Sequence, residues 1–156
     1  MNREHGGTIV EAALTLTTLF LLLIGTVGLG IVFYSYQSLT DGAREGARYG
    51  VIAPDVETPA PTSSMVANKV CSYLMSRSAA PSTCPNPQGK ALSQCVMNGG
   101  TVPKTEDVYV TQCTIQQPNN IAVTYTEVAV RKKVKLPLLP AISLHTTAAM
   151  RNETNN

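Results

Sequence analysis

The sequence predicts an α+β protein: a long N-terminal transmembrane helix, then a small domain with one helix packed on a three-stranded antiparallel sheet. Three observations carry this. No charged residue stands between Glu11 and Asp41. Three β-branched runs follow residue 106, separated by breaks rich in Pro and Asn. Four cysteines, Cys71, Cys84, Cys95 and Cys113, all lie beyond the apolar stretch.

The block Ala12–Phe33 supplies the ~20 apolar residues that cross ~30 Å of hydrocarbon at ~1.5 Å per residue. It exceeds the ~7–15 apolar residues of a secretory signal, and no small-x-small cleavage site closes it. The bilayer is therefore its expected partner. Before it stand Gly6-Gly7 and, four residues on, Glu11. A small residue for a peptidase, then a Glu, then a long apolar helix is the arrangement of a prepilin. A cut after Gly6 makes Gly7 the new N-terminus and Glu11 mature position five. The plainer reading of Glu11 is a carboxylate favoured by the macrodipole at a helix start, held at the interface because lipid penalises charge.

Positive-inside counting is indecisive, since Arg3 flanks one end of the apolar run and Arg44 and Arg48 the other. The cysteines orient the chain instead. Their spacing holds no C-x-x-C and suits no zinc site, so two disulfides in an oxidising compartment are expected, with the C-terminal side outside. Three pairings are open; Cys71–Cys84 with Cys95–Cys113 is preferred. Each bond stabilises by about 2–4 kcal/mol, which matters where the core is thin.

The 156 residues carry a formal net charge of +2 and no basic block, so no nucleic-acid partner is expected. The chain divides into a leader (1–6), a transmembrane and juxtamembrane helix (7–50), a Pro-rich linker (51–64) and the α+β domain (65–156).

The helical pattern outlasts the apolar run. Asp41–Arg44 and Glu45–Arg48 are opposite-charge neighbours three apart, worth a few tenths of a kcal/mol (~0.2–0.5) each. Gly42, Gly46 and Gly50 recur every fourth residue beside Ala43 and Ala47. Each glycine costs a helix about 1 kcal/mol relative to alanine, so the stripe implies a partner backbone packed closely against it. A helix end beginning to fray is the alternative.

Ala53–Ser64, with Pro54, Pro59 and Pro61, reads as a stiff extended linker. Thr62, Ser63 or Ser64 caps a helix running to about Ser78, with Met65, Val66, Val70, Tyr73 and Leu74 on its packing face. A long loop, Ala79–Pro103, contains Cys84 and Cys95, and the disulfides are expected to pin it. Strands are expected over Asp107–Gln116, Ile121–Leu136 and Ala141–Met150. Pro118-Asn119-Asn120 is the first hairpin turn, and Pro137-Leu138-Leu139-Pro140 a break between the second pair.

No catalytic constellation, cofactor motif or metal-ligand set is present, so an enzyme is not expected. His5 belongs to the leader and His145 stands alone in a strand. Arg131, Lys133 and Lys135 share one face of the second strand. That face could meet an acidic partner or anionic head groups; a solvated face, with lysines guarding an exposed edge, is the simpler account.

The stretch GGTIVEAALTLTTLFLLLIGTVGLGIVFYSYQSLTDGAREGARYG resembles the N-terminal region of TadE-like (TadE/TadG-type) minor pseudopilins of tight-adherence (Tad/Flp) pilus systems. Glu11 stands at the family's Glu position, and Ala43-Arg44-Glu45-Gly46-Ala47-Arg48-Tyr49 matches its post-membrane motif. Ser143–Glu153 is similar to the family's closing strand and tail. The resemblance implies cleavage after Gly6 by a prepilin peptidase. It also implies pairing of Glu11 with the new amine of a neighbouring subunit, and assembly with other pilins and pseudopilins on a Tad inner-membrane platform. The domain would then be periplasmic, and the protein would initiate, prime or cap a type IV pilus used in adhesion or secretion. The rival is a permanently anchored periplasmic binding or sensor module that never enters a fibre.

Overall fold

The computed structural model describes residues 5–52, 61–116, 118, 122–136 and 139–152. Residues 1–4 of the leader, linker residues 53–60, Asn119 and Asn120 of the first turn, Pro137 and Leu138 of the second break, and Glu153 of the tail lie outside them. Two α-helices, α1 (His5–Val51) and α2 (Ser63–Ser76), precede a 3-10 turn (Val96–Asn98) and three strands, β1 (Asp107–Gln116), β2 (Ala122–Leu136) and β3 (Leu139–Arg151). The strands form one antiparallel sheet in the order β1-β2-β3.

Helix α1 has two halves with opposite surroundings. From Ile9 to Tyr36 its large apolar side chains are exposed, apart from the half-buried Val32. Its threonines spend their hydroxyls on the helix itself: Thr15 donates to the Glu11 carbonyl, Thr17 to Ala13 and Thr18 to Leu14, at 2.7–3.0 Å. Each polar tip is thus satisfied without water, as hydrocarbon requires. From Ser35 onward the buried positions are 35, 38, 39, 42, 43, 46 and 47, one stripe at helical spacing. Leu39, Ala43 and Ala47 join Val66, Val70 and Leu74 of α2, and Val108, Val110, Val128 and Val130 of the sheet, in a single core. The sheet therefore carries two helices on one face: α2 and the end of α1.

Helix α2 starts where its sequence says. Thr62 is the N-cap, its hydroxyl accepting from the Met65 N–H. Its buried face is Val66, Ala67, Val70, Cys71 and Leu74. Met65, expected on that face, is 52% exposed, because the stripe runs 66/67, 70/71, 74 and leaves position 65 outside. The helix closes with the Ala79 N–H on the Leu74 carbonyl and the Ser78 N–H on Met75, with Ser78 in the left-handed region at φ 53°. This is the Schellman arrangement with serine where glycine is usual.

Strand β1 has the expected bounds. β2 runs from Ala122 to the expected end at Leu136, and Ile121, its expected first residue, lies outside the described residues. β3 begins at Leu139 rather than after Pro140, because the ladder shifts between Val134↔Ile142 and Leu136↔Leu139. Pro140 falls in that bulge on an edge strand, where its missing N–H costs no ladder bond. The lysines do not guard an outer strand: β2 is central. Only its end overhangs, since β1 starts opposite Arg131, and there the Glu106 carboxylate accepts from the Lys133 N–H.

The second sheet face is covered by the long loop. Leu92, Val102, Tyr109 and Ala129 form a smaller cluster there, and the Val110 N–H bonds the Lys90 carbonyl alongside β1. Cys71–Cys84 ties the start of this loop to α2, and Cys95–Cys113 ties its far end to β1. Gly89 lets the loop pass over α2: its φ is +59°, and a Cβ there would fall 2.2 Å from the Ser63 carbonyl oxygen.

Candidate functional site

The residues singled out for processing and assembly occupy the exposed half of α1. The helix runs unbroken through the Gly6–Gly7 bond. A Cβ at Gly7 would meet nothing within 4 Å. Glu11 is exposed one turn later, about 6 Å along the axis from Gly7 at ~1.5 Å per residue. Among the described residues it has no ion-pair partner; the pair present is Lys90–Asp107 at 2.7 Å. A carboxylate at the head of an apolar helix, with no cation of its own, gains most from a cation brought by another molecule. Coulomb attraction strengthens as the dielectric falls, while desolvation of both groups offsets part of that gain.

At the other end of the exposed half, Tyr34 donates to the Arg77 carbonyl at 3.2 Å, and the Arg77 guanidinium lies over the Tyr73 ring, 5.3 Å from its centroid. Aromatic and cationic groups thus collect where α1 enters the domain, the composition expected at a membrane–water boundary. α1 is one helix long and apolar enough to cross a membrane, and it is the candidate anchor.

The glycine stripe meets close neighbours at all three positions. A Cβ would lie 2.8 Å from Leu74 Cδ2 at Gly42, 2.2 Å from Val70 Cγ2 at Gly46, and 2.6 Å from Thr126 Cγ2 at Gly50. Gly42 and Gly46 admit α2 against α1, and Gly50 admits the central strand.

Sequence reasoning passed over Glu127. Its side chain is 1% exposed and lies between the loop and β2. Both carboxylate oxygens accept from the Val96 N–H at 3.0–3.1 Å, and one is 3.3 Å from Cys113 Sγ. That sulfur is disulfide-bonded and carries no proton, so the last approach is a close contact rather than a hydrogen bond. Carboxylate and sulfur atoms of Glu127, Cys95 and Cys113 lie within 4.8 Å of one another, but sulfurs bonded to each other are not the thiolates that bind metal. The available signal was parity. Apolar residues fall on both faces of β2, at Val123 and Ala129 as well as Val128 and Val130, which marks a strand covered on both sides. Glu127 belongs to the loop-covered set.

Burial pushes the Glu127 carboxyl above its ordinary value of 4.5, with the backbone N–H groups of Met97 and Val96 pulling it partly back. A raised folded-state value means that the folded protein holds the proton more tightly than the unfolded chain. The contribution to stability is full below about 4.5 and is lost as pH rises through the folded value. Melting temperature should therefore fall as pH is raised above that range, and Glu127→Gln should flatten this part of the profile. An unchanged slope in thermal melts of the variant would assign the dependence to another group.

The TadE-like protein family model matches residues 6–48. The match spans the apolar half of α1 and most of its packed extension, and ends before α2; the similarity read at Ser143–Glu153 is not part of it. Comparisons with curated proteins and with solved structures each return no match.

Proposed function

We propose, from the match of residues 6–48 to the TadE-like protein family model, that the protein is a minor pseudopilin. A prepilin peptidase cuts it after Gly6, and it then takes part in initiating, priming or capping a Tad/Flp pilus for adherence or secretion. It acts by binding rather than catalysis. The observation that supports this best is the combination held in one helix: Gly6-Gly7, an exposed Glu11, an exposed apolar stretch and a packed extension. A major pilin of the Flp type is little more than such a helix. The disulfide-bonded domain that α1 carries argues for a minor place in the fibre. The partners are the peptidase, other pilins and pseudopilins, and the inner-membrane platform, with the domain in the periplasm.

After cleavage the Gly7 amine is a cation in a poorly solvating environment. Glu11 of a neighbouring subunit relieves it, and the pairing sets the axial register between subunits. The test is the intact mass of the protein from native membranes, with and without the peptidase. Loss of Met1–Gly6 only when the peptidase is present is expected, together with loss of fibre incorporation in Glu11→Ala. An uncut chain in both samples would replace this reading with a permanently anchored module.

A further inference from the structure

A groove of about 820 Å³ opens between the loop and the outer face of β2 and β3. Among the described residues its charged lining is of one sign: Lys104 from the loop and Arg131 and Lys133 from β2, with the His145 imidazole opposite Arg131 on β3 and no Asp or Glu. Lys104 and Lys133 are exposed. Arg131 is held in place by donating from Nη2 to the Val102 carbonyl at 3.2 Å, while its buried Nε has no hydrogen-bond partner among the described residues. Lys135 keeps the same alternation along β2 but lies further along the strand and is not among the residues that line the groove. Two described acids beside the groove are already engaged: Asp107, opposite Arg131 on β1, pairs with Lys90, and Glu106 accepts from Ser82 Oγ and the Lys133 N–H.

We propose that this groove binds an acidic, extended peptide segment of a partner protein. The proposal stands whether or not the chain is processed. Arg131 and Lys133 are two residues apart on one strand face, about 6.8 Å at a rise of ~3.4 Å per residue. Alternate carboxylates of an extended peptide repeat at the same distance, so two can be met in register. A fixed guanidinium gives charge-assisted, directional bonds to a carboxylate, and Lys133 and Lys104 supply mobile cations on either side. Among the described residues the His145 imidazole is the one aromatic ring that lines the groove, too few for successive bases to stack on.

The test uses the full chain in nanodiscs of zwitterionic lipid and a fluorescent peptide alternating glutamate and threonine. Saturable binding that weakens with salt is expected, falling roughly tenfold in Lys133→Glu and again in Lys104→Glu, about 1.4 kcal/mol per tenfold step. Both side chains are exposed, so the fold should survive, and Lys69→Glu, on α2 across the sheet, should bind as the parent does. Equal binding of a glutamine–threonine peptide, or no change in Lys133→Glu, would overturn the proposal. So would tighter binding of a polyuronate chain, single-stranded DNA or anionic vesicles at the same residues.

Discussion

Gly46→Val is expected to unfold the domain at temperatures where the parent is fully native. The new Cβ would fall 2.2 Å from Val70 Cγ2, and valine's branched side chain has little rotameric freedom with which to yield. Val70 is itself fully buried between α1 and the sheet, with Val128 Cγ1 the next atom along. Two effects oppose each other. Valine improves helix propensity over glycine by a few tenths of a kcal/mol (~0.4). Forcing α1 away from α2 costs on the order of 3 kcal/mol, and this dominates. The midpoint of domain melting should drop by on the order of 15 °C, read by circular dichroism in detergent. Gly30→Ala is the control: nothing lies within 4 Å of its Cβ position, so the midpoint should hold. A Gly46→Val protein that melts with its parent would mean that α1 and α2 do not pack in solution as described.

Removing the disulfides is expected to be as damaging, and the order of the two is informative. In the chain-entropy account each closed loop contributes about 3 kcal/mol. The sequence separations, 13 for Cys71–Cys84 and 18 for Cys95–Cys113, favour the second by only ~0.3 kcal/mol. Surroundings outweigh that difference. Cys71 and Cys84 are each 2% exposed within the apolar core, so paired serines there bury hydroxyls without designed partners, at about 1–3 kcal/mol each. Cys95 is half-buried, and a serine in its place can reach water. Cys71→Ser/Cys84→Ser should therefore melt below Cys95→Ser/Cys113→Ser, although its loop is shorter. Alanine pairs should bring the two midpoints closer together. If the serine and alanine series give the same spacing, loop entropy rather than burial governs the order.

Much of this fold is legible in the sequence because local signals agree with the tertiary result. Thr62 caps α2, alternating β-branched residues mark β1 and β2, and the neighbouring cysteines pair as preferred. What escapes the sequence depends on partners distant along the chain. Leu39, Ala43 and Ala47 continue the apolar helix without a break, so nothing local separates its exposed turns from its core-facing ones. Glu127 looks like a solvated strand residue until the Cys95–Cys113 bond lays the loop over it. Arg131 and Lys133 look like a surface pair until Lys104 arrives from the loop to wall a groove. Lys135 shows the converse: alternation keeps it on their face, but it lies further along the strand, outside the groove.

The unbroken course of α1 has a mechanical consequence. A rod of 47 residues, about 70 Å at ~1.5 Å per residue, joins the apolar segment to the folded domain with no loop between them. Such a rod transmits displacement rather than absorbing it. A pull along its axis is resisted at the far end by the interlock of Gly42, Gly46 and Gly50 with α2 and the central strand, and a tilt of the rod swings the domain with it. The first structure to yield under load should be the seam between α1 and α2, not the sheet, whose strands are braced by the Cys95–Cys113 staple and the loop lying across it.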